Sequence, residues 1–80
     1  MKARVFVSLK KTVLDPQGKT IHTSLRNLGY STVRDVRQGK FFEIELNSGL
    51  SKQDAQKEIE RMARNVLTNP VIEEFTFEIE

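Results

Sequence analysis

Three short runs in this chain alternate apolar and polar residues with a period of two. In Lys2 to Lys10, Ala3, Val5, Val7 and Leu9 fall on one side, and Lys2, Arg4, Phe6, Ser8 and Lys10 on the other. From Lys40 onward, Phe42, Ile44 and Leu46 alternate with Phe41, Glu43 and Glu45. Near the end, Phe75, Phe77 and Ile79 alternate with Thr76, Glu78 and Glu80. Successive side chains of a strand point to opposite faces, so each run predicts a strand with one apolar side. A sheet built from such strands needs another layer on its apolar face. Phe6 and Phe41 are the exceptions, aromatics on the side meant for water.

Two helices can supply that layer. Asp15-Pro16-Gln17-Gly18 opens the first: Asp15 can cap the free backbone N–H groups of the first turn, and proline suits the first helical position. Gly18 is less expected, since glycine in a helical turn costs on the order of 1 kcal/mol against alanine. It makes sense if another backbone or a ligand comes close. Ile21, Leu25 and Leu28 then form one stripe, and Gly29 ends the helix in a left-handed conformation. The helix is short, so its stability must come from packing against a sheet. The second helix is clearer. Ser51 and Asp54 resemble a capping box, and Ala55, Ile59, Met62, Ala63, Val66 and Leu67 form its apolar stripe. Asn69-Pro70 stops it.

Tyr30 to Arg37 carries β-forming residues, although Val33 and Val36 cannot share a face in a regular strand without a bulge. Read as a strand, it joins Lys40 to Leu46 in a hairpin, with Gly39 at positive φ in the turn. The order is then β-α-β-β-α-β. The fold class predicted is α+β: a two-layer, ferredoxin-like sandwich with a four-stranded antiparallel sheet and both helices on one face. The first and third strands are central neighbours, which leaves Phe6 and Phe41 on the open face.

Eighty residues without internal repeat or linker predict one domain, 1–80. A core of that size leaves about 3–5 kcal/mol of net stability, so a second copy or a partner is a natural supplement. With no cysteine there is no disulfide or thiolate metal site, which fits a cytoplasmic location. No apolar run reaches the roughly 18–20 residues of a membrane span, and no signal-peptide pattern opens the chain. The net charge of +2 gives little support for nucleic acid.

No constellation of catalytic residues stands out. His22 is the single histidine and reads as a surface side chain beside the first helix's stripe. The carboxylates on the strands read as solvated or interfacial charges, no metal ligand set appears, and Gly18 and Gly39 are too isolated for a phosphate loop. Two binding readings remain open. Ferredoxin-like RNA-binding domains stack bases on aromatics of the central strands, but here Glu43, Glu45, Glu78 and Glu80 share that face and would repel phosphates. A protein–protein face fits it better. Small-molecule regulatory domains of the ACT type share the topology and an Asp-Pro-Gly-like turn; Gln17 between proline and glycine departs from that pattern.

The local strings together resemble one family. They are VFVSLK in the first strand, VLDPQGKTI at the first helix, LRNLGY at its end, VRDVRQGKFFEIEL through the hairpin and VLTNPVIEEF entering the last strand. They resemble PurS, the small subunit of multi-subunit phosphoribosylformylglycinamidine synthase, across essentially the whole chain. Val66-Leu67-Thr68 stands where that family tends to carry a Leu-Leu-Ala-like run.

The resemblance implies an accessory, non-catalytic subunit in purine biosynthesis. The family's complex converts formylglycinamide ribonucleotide, glutamine and ATP to the amidine, glutamate, ADP and phosphate. A glutaminase subunit (PurQ) releases ammonia and a large synthetase subunit (PurL) uses it. The small subunit, a homodimer or a tetramer built from it, bridges the two and helps ammonia pass. It implies no cofactor on this chain, with ATP and magnesium on the large subunit, and neither nucleic-acid nor membrane partners. The expected docking residues are Asp15, Pro16, Gln17 and Gly18 in the loop, Arg37 and Gly39 at the hairpin, and Asn69 and Pro70 at the other end. The alternative is a free-standing ACT-like domain.

Overall fold

The computed structural model describes residues 1–80. Five main elements follow in order: strand β1 (Lys2–Leu9), helix α1 (Pro16–Asn27), strand β2 (Gly39–Glu45), helix α2 (Lys52–Met62) and strand β3 (Glu73–Ile79). A π-helical turn, Ala63–Leu67, continues α2.

The three alternating runs form one antiparallel sheet in the order β2-β1-β3. The central strand β1 pairs with β2 so that Val5 faces Phe42 and Phe6 faces Phe41. It pairs with β3 so that Val5 faces Phe77 and Ala3 faces Ile79. In this register Ala3, Val5 and Val7 meet Phe42, Ile44, Phe75, Phe77 and Ile79 on one side of the sheet. Helix α2 closes that side with Ala55 and Ile59, and the π-helical turn adds Ala63; all three are fully buried with Ala3 and Val5. Its N-terminus is fixed by the Ser51 hydroxyl, which accepts from the Asp54 N–H at 3.1 Å. Alanines let the helix backbone come close to the sheet, and Ile59 fills the centre of the layer.

The sheet has three strands, not four. Tyr30 to Gln38 is an irregular return segment. The spacing of Val33 and Val36 that strained the strand assignment is the reason: neither face of this stretch carries a continuous apolar row. Its backbone groups bond to the α1 arm instead. The Val33 carbonyl lies 2.9 Å from His22 Nε2, and the Gln38 N–H donates to Asp15 at 2.6 Å. Gly39 is also unlike the prediction, because no positive φ occurs there; Gly29 and Gly49 alone take that conformation. A Cβ on Gly39 would overlap the Val7 carbonyl, so the glycine admits β2 alongside β1.

The helices do not share a face either. α1 makes no substantial contact with any strand, and only α2 covers the sheet. Ile21 and Leu28, two of the three stripe residues, are exposed. The arm formed by α1 and the return segment extends the chain to 51 × 25 × 14 Å with a radius of gyration of 16.1 Å. A compact 80-residue domain has a radius of about 12 Å. The final apolar position of α2 fails too: the wider π-helical turn rotates Val66 outward, where it is 78% exposed.

Candidate functional site: a clamped loop at one end of the sheet

Asp15 organises the loop between β1 and α1. Its backbone is extended, as an N-cap requires, and Oδ1 accepts from the Gly18 N–H at 3.0 Å. Its other oxygen, Oδ2, accepts from the Gln38 N–H at 2.6 Å. One carboxylate thereby caps the helix and ties down the return segment. Arg37 repeats the connection from the opposite side: its Nη2 donates to the Lys10 carbonyl at 2.9 Å and to the Val13 carbonyl at 2.8 Å. Residues 10–18 and 36–38 are held as one unit.

Gly18 fits between them. A Cβ there would overlap the Val36 carbonyl and lie 2.8 Å from Asp15 Oδ2. The close approach expected from sequence is therefore that of the chain's own backbone. Asp15 and Gly18 are buried, whereas Pro16, Gln17, Arg37 and Gln38 are exposed. The hydrogen-bonded geometry of the cap is thus internal, and what it presents outward is chiefly Pro16 and Gln17.

Asn69 and Pro70 join the same end of the sheet. They were expected at the far end from the loop, but β3 starts beside the end of β1, and the Lys10 N–H donates to the Ile72 carbonyl at 2.8 Å. The Asn69 carbonyl accepts from the Ile72 and Glu73 N–H groups, and its side chain accepts from the Val71 N–H at 3.1 Å. Glu73, missed by sequence reasoning, links the pieces. Its Oε1 accepts from the Asn69 N–H at 2.7 Å, and its Oε2 lies 3.6 Å from Lys40 Nζ. A shallow depression between the loop and this turn is lined by Asp15, Gln17, Gln38, Lys40 and Glu73. Alternation alone could place Glu73 only as a strand-end charge.

The Gln38 N–H first, then the Gly18 N–H and the Arg37 charge, hold the Asp15 carboxyl below its ordinary 3.8, against the opposing effect of burial. A lowered folded value has one sign of consequence. As pH falls, the unfolded chain takes up this proton first, so the clamp's contribution is complete above about pH 5 and lost on descent through the folded pKa. Urea unfolding between pH 6 and pH 3 is expected to show this as a decline in stability that is shallower in Asp15→Asn. Equal declines in both proteins would place the acid sensitivity elsewhere.

No group of three or more His, Asp or Glu side chains gathers as a metal site, and no helix is long and apolar enough to cross a membrane. The fold and the clamp together define a small α+β protein that carries a projecting helical arm and a fixed loop at one end of its sheet. Comparison with known proteins gives the family. The model of PurS, phosphoribosylformylglycinamidine (FGAM) synthase, matches residues 2–80. The phosphoribosylformylglycinamidine synthase subunit PurS of Bacillus subtilis is 39% identical over 79 residues, covering 99% of this chain and 92% of that protein. The corresponding subunit of Methanocaldococcus jannaschii is 37% identical, with 99% and 94% covered. Among solved structures, B. subtilis PurS superposes with a TM-score of 0.85 at 39% identity, covering 99% of this chain and 96% of that one. A chain in the structure of PurLQS from Thermotoga maritima gives 0.86 at 30% identity, with 96% and 93% covered. The chain belongs to the PurS family.

Proposed function

We propose that this chain is the accessory subunit of a phosphoribosylformylglycinamidine synthase, holding the glutaminase and the synthetase together while ammonia passes between them. The observation that carries this reading is the family match across residues 2–80, at near-full coverage of relatives that are themselves FGAM synthase subunits. The chain acts as a single domain and brings no catalytic group of its own; ATP and magnesium are handled by the large subunit. Its contribution is geometric. Keeping two active sites in register and shielding the path between them from water prevents ammonia from being protonated or lost to bulk.

The projecting arm supports a homodimer. A twelve-residue helix with an exposed apolar stripe has little stability of its own, and a second copy offers the covering layer that the chain's own sheet does not. Docking to the other subunits falls on the sheet end, where Pro16, Gln17, Asn69 and Pro70 are exposed and Asp15, Gly18, Arg37 and Gly39 hold the backbone in place. The ACT-like alternative loses its main support, since the turn is closed by Val36 and Gln38 rather than open to an effector.

Reconstitution with the large subunit and the glutaminase tests the proposal. Glutamine-dependent synthesis is expected to require this chain, while synthesis from added ammonia proceeds without it. Gln17→Ala is expected to melt like the wild type but to support glutamine-dependent synthesis only at higher concentration. Glutamine-dependent synthesis indifferent to the chain would refute the subunit reading. A normal Gln17→Ala protein would move the docking site off the loop.

A further inference from the structure

The sheet face opposite α2 is uncovered, and an aromatic pair stands on it. Phe6 and Phe41 face each other across β1 and β2, with ring centroids 5.5 Å apart and planes inclined by 20°. They are 41% and 50% exposed, and the strand register that buries Val5 and Phe42 on one face holds both rings on the other. Beside the stack, Ser8, Gly39 and Thr76 are small and leave a shallow depression, lined also by Glu74 and by Lys40, whose ammonium lies 3.6 Å from Glu73.

The charges around the pair have a definite sign. Lys2 lies 3.2 Å from Glu43, and Arg4 is engaged by both Glu78 and Glu80. Glu45 and Glu74, which alternation places on the same face, have no cationic partner. Lys10, which alternation places at the end of the same side, is in no ion pair, but the carboxylates Glu43, Glu45, Glu74, Glu78 and Glu80 still outnumber Lys2, Arg4 and Lys10. A second copy docked on it through a two-fold axis would set carboxylates against carboxylates, which argues against self-association here. A polyanion is disfavoured for the same reason. An arginine side chain satisfies every feature at once. Its planar guanidinium stacks on an aromatic ring while its N–H groups pair with a carboxylate at the edge.

We propose that this open face is a docking surface for a protein partner that inserts an arginine beside Phe6 and Phe41 and pairs it with Glu74. The proposal rests on the subunit reading above and assigns a second contact, on a different face from the loop end, to one of the other synthase subunits. Phe6 lies in the central strand, where substitution endangers the fold, so Phe41 on the edge strand β2 and Glu74 on β3 are the positions to change. The large subunit and glutaminase are titrated with wild type, Phe41→Ser and Glu74→Lys, reading glutamine-dependent synthesis, melting temperature and light scattering.

Both variants are expected to need roughly tenfold or more protein for half-saturation, as for a desolvated hot-spot contact. Their oligomeric state is expected to match the wild type, and Glu74→Lys to melt like it, whereas Phe41→Ser melts a few degrees lower through loss of the stack on Phe6 while remaining folded at the assay temperature. Wild-type half-saturation is expected to rise with added salt, and that of Glu74→Lys to respond less. Unchanged half-saturation in both variants would overturn the proposal, and so would loss of the oligomer in Phe41→Ser, which would make the face a contact between copies. Failure of the wild type itself to support glutamine-dependent synthesis would instead overturn the subunit reading.

Discussion

Replacing Ile59 with alanine is expected to destabilise the folded chain by about 3–4 kcal/mol, close to all the stability a domain of this size has. Ile59 is fully buried and, with Val5, is one of the two largest side chains so enclosed. Its surroundings cannot easily close over the space it would leave. Ala3 and Ala63 in the same cluster have no side-chain length to extend into it, and β1 is fixed by pairing on both sides. The loss therefore includes a cavity as well as the transfer of the missing methyl and methylene groups. Denaturant unfolding followed by circular dichroism, at one fixed protein concentration, measures the effect. A loss below about 1 kcal/mol would mean that the layer relaxes, or that a second copy contributes more to the core than Ile59 does.

Gly18→Ala carries the second large effect, and here two simple arguments disagree about its sign. Helix propensity favours alanine over glycine by about 1 kcal/mol, and the unfolded chain also loses freedom, so the change ought to stabilise. The close approach decides otherwise. The new methyl would overlap the Val36 carbonyl and crowd Asp15 Oδ2, both of which belong to the clamp. Neither is the free end of a flexible side chain: one is backbone, and the other belongs to a carboxylate held by an N–H on each oxygen. A net destabilisation of about 1–3 kcal/mol is expected, as for other overpacked sites. The arm should also come loose. Faster amide exchange at Gln38, with little change in β1, would show that the damage is confined to the loop and its return segment. A variant more stable than the wild type would show that the clamp is dispensable.

The sequence made the sheet legible because alternation is a local signal. Residues on β1, β2 and β3 report their face without reference to anything distant, and the pairing of β1 with the strand at Lys40 followed from topology. The Asp15 cap, the Ser51 cap and the left-handed Gly29 were legible for the same reason, since each is settled within four or five residues. Tyr30 to Gln38 was not. Its β-forming composition was outweighed by hydrogen bonds to Asp15, His22 and the Lys10 carbonyl, all distant in sequence. The position of α1 was hidden as well: an apolar stripe says that something covers it but does not name the surface. Of the site, the loop chemistry could be read directly, whereas the meeting of Asn69 and Pro70 with the loop through Glu73 depends on where β3 begins. The exposed Val66 reflects a change of helical period that no stripe of apolar residues announces.

The position of β1 also governs when the chain can fold. The strand precedes the other elements, yet it sits in the middle of the sheet, and the register that joins Ala3 to Ile79 spans 76 positions of sequence. During synthesis β1 and β2 can pair early, but one side of β1 stays without its neighbour until β3 has left the ribosome. The fold is thus closed by its most distant contacts, and loop-closure entropy sets the pace. Until then the bare side of β1 is an open edge able to accept a strand from another chain. The same molecule passes through a stage in which its central strand is sticky, and that stage lasts until β3 is free to pair.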